Sequence, residues 1–134
     1  MFTAKVFRVM VCSLSGTMEE VFVAKDAIRK WNQENAEHAG KVYLLVEETT
    51  HQEDADVLIG VVGNWIENTD VVEDFIAARK KVLLFFNRYH DPKNTMPSEA
   101  LIVAEFKRVF QAISITYEYI NNDDLTLLVR NSLD

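Results

Sequence analysis

Two stretches of the chain, VLIGVV at Val57–Val62 and VLLFF at residues 82–86, run without a single polar side chain. A strand with one wet face alternates apolar and polar residues. One without alternation is covered on both faces, as the inner strands of a parallel sheet are. Parallel neighbours need a crossover, and residues 70–80 supply it, with Val72, Phe75, Ile76 and Ala78 or Arg79 marking the inner face of a helix. That β-α-β unit constrains the chain to an α/β architecture.

The remaining segments extend the same plan. Residues 5–11 are a β-rich apolar run, followed by a small, polar loop, Cys12-Ser13-Leu14-Ser15-Gly16. From Met18 to about Glu37, Val21, Ala24, Ile28 and Trp31 recur with helical period. Thr17 and Glu20 have capping-box spacing, and Gly40 closes the helix. Residues 41–46 read as a second strand. After a loop at 87–96, Pro97 opens a helix whose stripe is Ile102, Phe106, Val109 and Phe110. Ile113, Ile115, Tyr117 and Tyr119 then alternate with polar residues, the pattern of a half-exposed edge strand. Asn122 or Asp123 caps a last helix carrying Leu125, Leu128, Val129 and Leu133.

One link is missing from this order, because residues 47–56 are too few for a crossover helix between the second and third strands. Extended, they still reach about 33 Å, enough to return along a strand and skip a neighbour. The expected fold is α/β: a single flavodoxin-like, three-layer domain over residues 1–134. Its five mainly parallel strands take the order 2-1-3-4-5, with at most one helical turn between strands 2 and 3.

Composition narrows the function classes. At 134 residues, with 49% hydrophobic and 26% charged side chains, the chain has the size and balance of one globular domain. Fourteen Lys and Arg against twenty-one Asp and Glu leave a net charge of −7. The longest basic run is Arg79-Lys80-Lys81. A nucleic-acid module needs a basic stripe to neutralise phosphates, so nucleic acid is not an expected partner. Cys12 is the only cysteine, which rules out a disulfide within the chain. Lys5 and Arg8 interrupt the N-terminal apolar stretch, and no apolar run approaches the roughly 18 residues of a membrane span. The expectation is a cytoplasmic protein with no membrane partner. The phosphate-loop, dinucleotide-fingerprint, zincin and nucleophile-elbow motifs are all absent, and neither a cofactor nor a metal is expected.

In doubly wound sheets, ligands bind outside the carboxyl ends of the strands where strand order reverses, here between the first and third strands. The loops expected to converge there are residues 12–17, 47–51, 63–68 and 87–90. Ser13 and Ser15 lead into a helix N-terminus, which suits a phosphate or ribose; equally, the segment is a well-capped helix whose Glu19-Glu20 repels phosphate. Glu73, one turn into the next helix, has the position of a carboxylate that stabilises an oxocarbenium ion, or it completes a cap with Asp70. Trp65, beside Asn64, either stacks on a base or packs. His51 stands among Glu47, Glu48, Glu53 and Asp54 without metal-ligand spacing. His38 and His90 read as surface residues, Cys12 as a small buried one and Trp31 as core.

Several of these segments together resemble a known family. Val9-Met10-Val11-Cys12-Ser13-Leu14-Ser15, Glu19-Glu20, Ala27-Ile28, Trp31-Asn32 and Glu34-Asn35-Ala36-Glu37-His38 look like the opening of a bacterial TIR-like domain of unknown function. That type is often fused to signalling and defence ATPases. Glu48-Thr49-Thr50-His51, Ala55-Asp56-Val57-Leu58-Ile59-Gly60, Glu73 before Ala77, and Lys81-Val82-Leu83-Leu84-Phe85-Phe86 agree, so the resemblance covers nearly the whole chain. It implies a fold shared with TIR domains and nucleoside 2-deoxyribosyltransferases, in which a Glu on the helix after the third strand attacks or stabilises the ribosyl C1′. Glu73 takes that place, and Ser13, Ser15, Asn64 and Trp65 are the implied ligand-binding residues.

The chain also departs from the family. Val21 stands where the family has Arg, a Pro/Gly segment and a helix are missing between His51 and Asp54, and the loop between Gly63 and Glu73 is short. Those losses remove walls that would keep water from a reacting sugar. The expectation is a signalling- or defence-type domain that binds a nucleotide-like or nucleoside ligand or a protein partner. The alternatives are an N-glycosidase or deoxyribosyltransferase acting on NAD or nucleosides through Glu73, and a structural self-assembly module such as a homodimer.

Overall fold

The computed structural model of the chain describes residues 3–14, 18–46, 52–63, 66–67, 69–87 and 97–134. Five strands, β1 (Lys5–Ser13), β2 (Lys41–Leu45), β3 (Val57–Val62), β4 (Lys81–Asn87) and β5 (Ile115–Tyr119), form an all-parallel sheet in the order β2-β1-β3-β4-β5. The expected flavodoxin-like fold is the observed one. Helices α1 (Met18–Ala39) and α4 (Asn122–Leu133) cover one face; α2 (Thr69–Ala77) and α3 (Pro97–Phe110) cover the other. Between β2 and β3 the described residues hold a single 3₁₀ turn, Gln52–Asp54.

The lack of alternation in β3 has the predicted cause: all six of its residues are buried. Val57, Ile59 and Val61 face an apolar cluster with Val21, Ala24, Ile28 and Trp31 of α1 and Leu125, Val129 and Leu133 of α4. Leu58 and Val62 face the second cluster, with Val72 and Phe75 of α2 and Phe106 of α3. Gly60 occupies the tightest point of that second face. A Cβ there would lie 3.0 Å from Leu84 Cδ2 and 3.1 Å from Leu14 Cδ1. Both leucines are fully buried.

The short β2–β3 link is explained by a stagger. Val9 of β1 is level with Leu45, the last residue of β2, and also with Val57, the first residue of β3. Chain leaving β2 therefore stands at the height where β3 begins. It has only to cross β1, about two strand spacings or 10 Å. The full-length return expected from the sequence does not occur, and no helix is needed to make it. Ala55 is buried in the second cluster, and Asp56 fastens the landing. The Asp56 N–H donates to the Arg8 carbonyl at 2.7 Å, and the Arg8 N–H donates to Asp56 Oδ2 at 2.9 Å.

Several boundaries differ from the sequence reading. Cys12 and Ser13 belong to β1 and Asn87 to β4, rather than to the loops that follow. Helix α2 ends at Ala77 because Arg79 adopts a left-handed φ of 60°. The Lys80 N–H then donates to the Phe75 carbonyl at 2.9 Å and the Arg79 N–H to the Ile76 carbonyl at 2.9 Å, a Schellman closure. Ala78 and Arg79 are exposed and form no part of the inner face. On α3 the sheet-facing residues are Val103, Phe106 and Phe110, whereas Ile102 and Val109 point to solvent. The cap of α4 is Asn121, whose side chain accepts from the Asp124 N–H, rather than Asn122 or Asp123. The Thr17 cap and the 88–96 loop lie outside the described residues.

Two outcomes follow for urea unfolding. Gly60→Val drives methyl groups into Leu14 and Leu84 and should cost about 1–3 kcal/mol. Asp56→Ala removes the acceptor for the Arg8 N–H and should cost about 0.5–1.5 kcal/mol, while Asp56→Asn recovers most of it.

Candidate functional site

Because all five strands are parallel, every helix starts at the carboxyl edge of the sheet. Helix α1 leaves β1 toward one face and α2 leaves β3 toward the other, so their N-termini diverge over the β1–β3 boundary. This is the switch-point crevice of an open α/β sheet. Ser13, half-buried, ends β1 opposite Val61. Leu14 follows it as the floor. The Leu14 N–H donates to the Val61 carbonyl at 2.9 Å, and its own carbonyl accepts from the Glu67 N–H at 2.6 Å. The loops after β1 and β3 are thus joined backbone to backbone over a buried leucine.

Of the sequence-predicted residues, Ser13 is at this crevice, while Ser15, Asn64 and Trp65 lie outside the described residues. Glu73 is exposed on the second turn of α2, between buried Val72 and Phe75 neighbours that turn the other way. It has no hydrogen-bond or ion-pair partner among the described residues. The cap reading of Glu73 fails, since α2 begins at Thr69 and Asp70 is already helical. Residues 47–51, assigned to the crevice from the sequence, lie outside the described residues, but their anchor is displaced. Val46 donates to the Val9 carbonyl at 2.9 Å, four residues, or about 13 Å, below Ser13. Cys12 is fully buried within β1, and Trp31 is core, its Nε1–H donating to Asp134 Oδ1 at 2.7 Å.

The described helix first turns at the carboxyl edge are acidic. First-turn carboxylates are Glu19 and Glu20 on α1, Asp70 on α2, Glu99 on α3, and Asp123 and Asp124 on α4. None of the four first turns holds a Lys or Arg. Each carboxylate stabilises its own helix dipole.

A residue that periodicity alone assigns to packing has a second property. Tyr119 ends β5 with its ring buried and its hydroxyl without a hydrogen-bond partner among the described residues. Burial raises the phenol pKa above its ordinary range, and the Glu20 carboxylate adds to the shift. A cavity of about 360 Å³ opens at the opposite, amino edge of the sheet, lined by Glu53, Asp74, Phe75, Ala78 and Lys80. There Lys80 Nζ donates to the Glu53 carbonyl at 2.9 Å and sits 5.4 Å over the Phe75 ring. Its lysine is committed to those contacts, and none of the described α-helices begins there. The crevice is therefore the better candidate site.

No protein-family model and no curated protein matches the chain. Among solved structures it is similar to Staphylococcus aureus homoserine dehydrogenase, with a TM-score of 0.51 and 11% identity. The match covers 86% of this chain and 32% of that one, so the chain spans about a third of that enzyme's length. At this identity the likeness is one of fold alone. No described helix is long and apolar enough to cross a membrane.

The Tyr119 hydroxyl gives a signed pH effect. Its pKa is raised in the folded chain from an ordinary 10.0, so only the unfolded chain releases the proton just above that pH. This contribution to stability is complete below about pH 10 and declines as pH rises past it. Tyr119→Phe should match or exceed wild-type stability at neutral pH, within about 1 kcal/mol. In urea titrations above about pH 10 it should also lose less stability than wild type.

Proposed function

We propose that this chain is a TIR-like domain that binds a nucleoside-type ligand in the β1–β3 crevice, and that binding rather than turnover is its activity. The divergence of α1 and α2 over the Leu14 floor, at the switch point of the sheet, is the observation that supports a ligand site. Asp70, in the first turn of α2 beside the crevice, favours a base and sugar over a polyphosphate. The dehydrogenase likeness is compatible with such a ligand but supports only the fold.

Glycosidic cleavage through Glu73 is the competing reading, resting on the family resemblance. It requires a carboxylate held against the sugar in a water-excluded site. Glu73 instead stands exposed on α2, which favours binding. Roles in signalling or defence, and a cytoplasmic location, likewise rest on the resemblance.

Calorimetry with adenosine, NAD and ATP, paired with a base-release assay on wild type and Glu73→Ala, separates these readings. The expected outcome is saturable adenosine binding, at least about tenfold weaker ATP binding, and no base release from either protein. Asp70→Asn should narrow the gap between adenosine and ATP. Base release lost in Glu73→Ala would establish the enzyme, and no binding of any of the three would overturn the ligand reading.

A further inference from the structure

Helix α3 has two apolar sides, and the sheet uses only one. Val103, Phe106 and Phe110 face Phe86 and its neighbours, with ring centroids of Phe86 and Phe106 6.2 Å apart. On the outer side, Leu101 is 72% exposed, Ile102 56% and Val109 45%. Monomeric surfaces carry single exposed apolar residues freely, but a cluster on one helix face marks a contact site.

The order of residues along that face says what covers it. Leu101, Glu105 and Arg108 fall on one outer stripe, at spacings of four and three, with Ile102 and Val109 along one rim. Its charged pair is self-complementary, acidic Glu105 being followed by basic Arg108. Set against a second copy running antiparallel, Glu105 meets Arg108 of that copy and Arg108 meets its Glu105. Ile102 then lies beside Val109 of the second copy. A two-fold axis requires such self-complementarity. A parallel arrangement would set like charges together.

We propose that the outer face of α3 is a homodimer interface, closed by antiparallel pairing with α3 of a second copy. The surface is independent of the crevice. Within one chain, Arg108 already bonds Glu105 at 2.5 and 3.0 Å, so pairing would build a four-membered charge cluster from two preformed ion pairs. Fourteen helical residues span about 21 Å. A face of that length buries less than the roughly 800 Å² per partner of a standard interface, so the dimer is weak and reversible.

The test is light scattering over a concentration series reaching roughly millimolar, the range for a weak complex, with circular dichroism confirming that each variant is folded. Wild type should rise from monomer toward dimer mass. Glu105→Arg and Arg108→Glu should each weaken association by about tenfold or more, as like charges then face each other. Mixing the two variants restores both attractive contacts between copies and should recover dimer to the wild-type level. Mixing cannot repair the ion pair within either chain, so recovery isolates the contact between copies. A wild-type protein that stays monomeric throughout, or a mixture no more associated than its components, would overturn the proposal.

Discussion

Everything in this fold hangs on one strand serving two neighbours at different heights. The lower half of β1 pairs with β2 and the upper half with β3, the change falling at Val9. Parallel pairing usually obliges the chain to travel a strand's length back before the next strand starts. Here the stagger removes that obligation, and a 3₁₀ turn, buried Ala55 and the reciprocal Asp56–Arg8 hydrogen bonds replace a helix. The cost is uncovered surface. Val6 and Leu44, on the sheet face that such a helix would shield, are 47% and 50% exposed.

The same stagger shapes the crevice. Since β2 stops well below the carboxyl edge, the chain ends that frame the site come from β1 and β3, joined through Leu14. The helices that begin beside them, α1 after β1 and α2 after β3, carry first-turn carboxylates that suit their dipoles. Local helix stability and the proposed ligand preference are therefore coupled: Asp70, which steadies α2, also sets a negative field beside the proposed site. A base and sugar tolerate that field better than a chain of phosphates.

Much of this was readable along the chain. Unbroken apolar runs identified β3 and β4 because burial on both faces leaves no place for a polar residue. The i, i+3, i+7 recurrence of Val21, Ala24, Ile28 and Trp31 identified α1, and Gly40, with its φ of 70°, ended it. The stripe of α3 was misread for an instructive reason. Ile102 and Val109 share a helical face as convincingly as Val103, Phe106 and Phe110 do, and periodicity cannot say which of two apolar faces meets the sheet. Glu73 is a different case: its place on α2 was legible, but its exposure depends on how the helix is rotated by Val72 and Phe75.

By itself, then, the sequence determined which segments are strands and helices and that the strands are parallel. These follow from period, polarity and connection length, which are properties of neighbouring residues. The tertiary structure alone decided the height of β2 against β3, the inward face of α3 and the solvent exposure of Glu73. Those depend on contacts between segments far apart in the chain, where a shift of one register or a rotation of one helix face leaves the local pattern unchanged.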